Sequence, residues 1–145
     1  MRVRAISFAM LIAATAAAQQ KTAANAVVRD LHVRIITPSS DALFTAESKA
    51  PGKDSEWLQL ETSAKALADA ATALSSLPQA TVAWITFATT LRAEATTAAR
   101  AAKARNVAAL IDANGRIVAS CEACHDDYRD AGHGMTSDKA NARQR

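Results

Sequence analysis

Aromatic residues make up 4% of this 145-residue chain, and it has four glycines, three prolines and two cysteines. So little glycine and proline, with no run of alternating β-branched residues, leaves little from which to build a sheet and its turns. The abundant alanine favours helix instead. Past the N-terminus, no segment approaches ~18 consecutive apolar residues, so no membrane span is expected in the working protein. Charge of one sign is not in excess either. The formal net charge is +3, and Arg2 and Arg4 at the extreme N-terminus account for two of those charges. Nucleic-acid binding draws on a strong positive field against phosphates, and the rest of the chain, close to neutral, has none.

Those two arginines belong to a recognisable leader. They precede the apolar stretch from Ala5 to Ala14, and Ala16, Ala17 and Ala18 supply small residues for cleavage. Residues 1–18 therefore read as a signal peptide cut after Ala18, which implies export and, in a bacterium, the periplasm. What remains suits one domain with one core. Residues 19–131 read as a four-helix domain, and 132–145 as a flexible polar tail holding Lys139, Arg143 and Arg145.

Four helices can be laid out. The first runs from about Thr22 to Ile36 and stops before Pro38, which disfavours a helical residue ahead of it. Its Val28, Leu31, His32 and Ile35 share one face. Thr37–Lys53 then reads as a connection, with a short helical turn at Asp41–Phe44. The second helix begins at Asp54 as N-cap, with Glu56 in its first turn, and ends at Pro78. Trp57, Leu60, Ala64, Leu67, Ala71 and Leu74 form its stripe. The third reaches about Lys103, with Trp84, Phe87, Leu91, Ala95, Ala98 and Ala102 on one side. The last is capped by Asn106 and carries Val107, Leu110, Ile111, Asn114, Ile117, Cys121, Cys124, His125 and Tyr128. Gly115 within it marks a bend or a break. Short joins between helices predict an all-α, antiparallel four-helix bundle.

Both cysteines fall in one motif, Cys121-Glu122-Ala123-Cys124-His125. C-x-x-C-H reads as covalent attachment of one c-type haem. Cysteines three apart on a helix lie on the same side, so both thiols reach the vinyl groups along one haem edge, and the adjacent imidazole serves as iron ligand. Three other chemistries use cysteines so spaced. A thioredoxin-like dithiol needs a βαβ setting and a helix N-terminus to lower the thiol pKa. Structural zinc needs about four ligands, and the chain offers Cys121, Cys124, His125 and at most His32 or His133. A disulfide across one helical turn is strained.

The motif with Tyr128 and Arg129 behind it, at the C-terminal end of an exported four-helix chain, resembles the class II cytochromes c, the cytochrome c′ family. Asp30-Leu31-His32-Val33-Arg34-Ile35-Ile36-Thr37-Pro38-Ser39-Ser40-Asp41 is similar to the family's opening segment, and Trp57 after Asp54 and Glu56 also fits. The resemblance implies a four-helix bundle whose C-terminal helix attaches the haem. It implies one of two behaviours: five-coordinate iron that binds NO and CO, or low-spin iron that transfers electrons with a Met from the first helix as sixth ligand. That Met follows Asp-Leu in the family, and His32 stands there in this chain. The resemblance also implies a possible homodimer through the first two helices.

His32 is thus a candidate sixth ligand. It sits on an apolar face, where an unpaired ring costs roughly 1–3 kcal/mol, and a bound iron removes that cost. The plain alternative is a helical histidine satisfied by a hydrogen bond. His133 and Met135 are weaker candidates in the tail. Arg129 is a candidate partner for a haem propionate, since guanidinium pairs bidentately with carboxylate; otherwise it is a solvated charge at a helix end. No paired-carboxylate or nucleophile–base pattern accompanies these residues, so no enzyme is expected. The expected function is electron transfer with periplasmic or membrane-bound redox partners. Gas binding at an open iron is the alternative, and a haem-independent helical interaction domain is the third.

Overall fold

The structure, a computed structural model, describes residues 25–78 and 80–128. The leader 1–18 and tail 132–145, with Arg129, His133 and Met135, lie outside the described residues.

Among the described residues every regular element is helical. Helix α1 occupies residues 25–31. It runs into a π-helical turn, His32–Ile36, and on into α2, Thr37–Ser48. Helices α3 (Asp54–Ser75), α4 (Val82–Lys103) and α5 (Val107–Tyr128) follow.

The first helix therefore does not stop at Ile36, and most of the expected connection Thr37–Lys53 is helix. The π turn is the reason. Thr37 N–H bonds the carbonyl of His32, five residues back. Pro38 then falls in the first turn of α2, where a missing N–H is harmless and the fixed φ suits the helix. Helix α3 starts where expected, but Lys53 is its N-cap and Asp54 its first residue. The Glu56 carboxylate accepts the N–H of Gly52 at 2.7 Å and of Lys53 at 3.0 Å, the reach-back half of a capping box. Those bonds hold its carboxyl below the usual range. Asn106 caps α5 as expected, its Oδ1 accepting Ala109 N–H at 3.0 Å.

The α4–α5 turn is a Schellman motif. Asn106 N–H bonds Ala101 O and Arg105 N–H bonds Ala102 O, both at 3.0 Å. Arg105 occupies the left-handed position with φ 54°, where glycine is usual.

The four helical segments, with α1, the π turn and α2 as one rod, pack against one another. The stripes read from the sequence are buried at Leu60, Ala64, Leu67, Ala71 and Leu74 on α3 and at Trp84, Leu91, Ala95, Ala98 and Ala102 on α4. Alanine on facing helices lets the backbones approach closely. Leu43, Leu67, Leu110 and Ile117 are fully buried, each contributing about 1.5–3 kcal/mol by leaving water. The α5 stripe is rotated from expectation. Ile111 is 40% exposed and Ala113 is fully buried, so the inward face runs through Leu110, Ala113, Asn114 and Ile117. Gly115 is neither bend nor break; α5 passes through it and open space surrounds it.

Individual contacts fix which ends meet. Arg105, after α4, pairs with Asp54 at the start of α3 at 3.0 Å. Asn114, midway along α5, donates from Nδ2 to Leu43 O on α2 at 2.9 Å. Trp84 Nε1, at the start of α4, donates to Leu74 O at the end of α3 at 2.8 Å.

Candidate functional site

The C-x-x-C-H residues occupy the last two turns of α5, and aromatic packing holds those turns in place. Tyr128 is buried and meets Trp84 edge-to-face at 5.0 Å and Phe87 at 6.2 Å. Its hydroxyl shares a 2.9 Å hydrogen bond with Thr81 Oγ1. Thr81 also caps α4, accepting Trp84 N–H at 3.2 Å. The end of α5 is thereby tied to the start of α4.

Cys121 and Cys124 carry free thiols, half-buried against the core. Burial, with Glu122 beside it, pushes the Cys121 thiol up. Burial, Cys121 and Asp127 push the Cys124 thiol up to about 11. Both are protonated at neutral pH. A dithiol oxidoreductase depends on the opposite shift, so the surroundings disfavour that chemistry. Among the described residues no three His, Cys, Asp or Glu side chains gather as a metal site.

His125 is brought to His32. Their ring centroids lie 6.1 Å apart with 31° between planes. The residues come from opposite ends of the described chain, α5 and the π turn that follows α1. A metal held by two imidazole nitrogens at about 2 Å each sets the centroids roughly 6 Å apart, so the spacing fits an axial histidine pair. The tautomer fits as well. His32 Nδ1 hydrogen-bonds the Val28 carbonyl at 2.9 Å. A carbonyl only accepts, so Nδ1 carries a proton, and in the neutral ring Nε2 is then the nitrogen with the lone pair. A backbone carbonyl orienting a ligand histidine in this way is the usual outer shell of an imidazole–metal bond. The same contact satisfies the ring in the absence of metal.

Three residues near the motif escaped sequence reasoning. Thr81 locks Tyr128 in place. Ser120 and Asp127 are buried on the inward face of α5, and the Ser120 hydroxyl has no hydrogen-bond partner among the described residues. Extending the α5 stripe from Ile117 by three- and four-residue steps reaches 120, 124, 127 and 128, a signal that was available. Trp57, expected in the core, is only half-buried.

Among the described residues no helix is long and apolar enough to cross a membrane. Comparison with protein-family models, with curated proteins and with solved structures yields no match.

Proposed function

We propose that this chain is an exported monohaem c-type cytochrome that transfers electrons. In this reading it is an antiparallel four-helix bundle, α5 attaches one haem through Cys121 and Cys124, and His125 and His32 are the axial ligands. The observation that carries the reading is the 6.1 Å approach of His32 to His125, one residue beyond a C-x-x-C pair. The end-to-end contacts support the antiparallel arrangement. Trp84 reaches Leu74, Tyr128 reaches Thr81, and Arg105 reaches Asp54.

When bound, haem iron takes up and releases one electron. The chain's residues set the conditions for that. The cysteines fix the group to the helix that presents His125. Val28 holds the His32 tautomer with Nε2 available. Two imidazoles give a lower potential than a Met/His pair. The Trp84, Phe87 and Tyr128 cluster packs the last turn of α5 against the start of α4 and would hold His125 in place toward a bound haem.

The test is pyridine haemochrome analysis of the exported protein, followed by CO addition to its reduced form. Covalent haem c with little or no rapid CO binding is the expected result. Covalent haem with fast, complete CO binding means an open iron and a gas-binding protein. Absence of covalent haem removes the cytochrome reading and leaves a helical interaction domain.

A further inference from the structure

From Ala70 to Leu91 the chain carries no charged side chain, although 21% of all its residues are charged. The run covers the last turns of α3 and the first half of α4. Its inward side chains, among them Leu74, Trp84 and Leu91, are buried. Its outward side on α4 is not. Val82 is 72% exposed and Ile85 39%. Thr86, Thr90 and, just past the run, Ala93 are exposed beside them. The other helices carry exposed charges: Arg34 and Asp41 on the α1–α2 rod, Lys65 and Asp69 on α3, and Asp112 and Arg116 on α5.

This face costs little to take out of water. A polar group is costly to bury unless it keeps a hydrogen bond. Thr86, Thr89 and Thr90 keep theirs within the helix. Their hydroxyls donate to the carbonyls of Val82, Ile85 and Thr86 at 2.9, 2.8 and 2.9 Å. Val82, Thr86, Thr89 and Ala93 are spaced four, three and four apart, which lines them up as the seam of a two-helix contact. Helices α3 and α5 pack on the other sides of α4.

We propose that this face of α4 is where a second copy of the chain docks, forming a twofold dimer. The argument for a second copy is one of charge. A twofold dimer sets a patch against itself, so a charged patch opposes like with like, and this patch has nothing to oppose. A partner recognised by its charge finds no counter-charge here. With the two α4 helices antiparallel about the middle of the seam, Val82 meets the partner's Ala93 and Thr86 meets the partner's Thr89. The contact is distinct from a dimer through the first two helices, and it does not depend on the haem reading. About three turns of one helix are a small contact beside the roughly 800 Å² per partner of a standard interface. The dimer is therefore weak and grows with concentration.

Sedimentation velocity of the exported protein, from low to high micromolar concentration, tests the proposal. The wild type is expected to pass from one to two chain masses. Val82→Glu and Thr86→Glu are each expected to remain monomeric. Val82 is the first residue of α4, where a carboxylate suits the helix dipole, so an unchanged thermal midpoint in dilute solution shows that the fold is intact. Val33→Glu, at an apolar residue 66% exposed on the first rod, is expected to dimerise like the wild type. Thr89→Lys is expected to be monomeric alone and to associate when mixed with Thr86→Glu, because the two charges then face each other. A wild type that stays monomeric throughout overturns the proposal. So does a dimer that survives Val82→Glu and Thr86→Glu, or one that Val33→Glu abolishes. A mixture that fails to associate overturns the antiparallel pairing of Thr86 with Thr89.

Discussion

The Trp84 indole and the Tyr128 ring meet nearly at right angles, with centroids 5.0 Å apart and 84° between planes. Edge-to-face pairs contribute about 0.5–1.5 kcal/mol beyond their buried area. This one joins the start of α4 to the turn of α5 that follows His125. Tyr128→Phe keeps the ring contact and loses the bond to Thr81, so it should cost about 1 kcal/mol. Tyr128→Ala should cost about 3–5 kcal/mol. Urea unfolding of the two variants measures both.

The same residue predicts a pH dependence. Burial is the largest influence on the Tyr128 hydroxyl and raises its pKa above the ordinary value. The folded state therefore favours the neutral form. That stability is fully present below the unfolded pKa and is lost as pH rises through the folded one. Thermal midpoints followed from neutral to strongly alkaline pH should fall more steeply in the wild type than in Tyr128→Phe. Equal slopes would assign the alkaline loss to other groups.

Asn114 is fully buried and ties α5 to the Leu43 carbonyl of α2. Asn114→Ala removes that bond and leaves a cavity, and should cost roughly 2–3 kcal/mol. Its Oδ1 has no hydrogen-bond partner among the described residues. Asn114→Leu, which fills the space and removes the polar group, should be the milder change. Chemical denaturation of the pair gives the order, and a larger loss for Leu would show that the polar link specifies the packing.

Arg105 adopts φ 54° at the end of α4, and its ion pair with Asp54 is solvent-exposed and adds little. Arg105→Gly should raise stability by about 0.5–1 kcal/mol, the relief of left-handed strain less the added freedom of the unfolded chain. A lower thermal midpoint would mean that the Asp54 contact outweighs the strain.

Much of the bundle was legible because α3 and α4 keep regular three- and four-residue spacing of Leu, Trp and Ala against water. What was hidden is instructive. Thr37-Pro38-Ser39-Ser40 has the composition of a break, yet the helix continues into α2 after a π turn, with Pro38 in the first turn of α2. Helical periodicity assumes one constant winding, so it does not anticipate an inserted residue. His32 was visible as a histidine on an apolar face. Its approach to His125 depends on packing between distant segments, whereas its bond to Val28, four residues back, is local to the helix. Asp127 and Ser120 were passed over because polar side chains are usually placed in solvent, and here they are buried.

The attachment chemistry has its own check. Cys121→Ser and Cys124→Ser together should abolish covalent haem, seen as loss of haem staining on a denaturing gel. Each single variant should retain at most one thioether and a shifted pyridine haemochrome band. Full staining in the double variant would separate the cysteines from the haem.

The central claim is that His32 and His125, 6.1 Å apart between ring centroids, bind one iron from its two faces. The most direct measurement is the EPR spectrum of the oxidised wild-type protein beside His32→Ala. The account predicts a low-spin bis-imidazole spectrum for the wild type and a high-spin spectrum for the variant. High-spin spectra from both, or identical low-spin spectra from both, would contradict it.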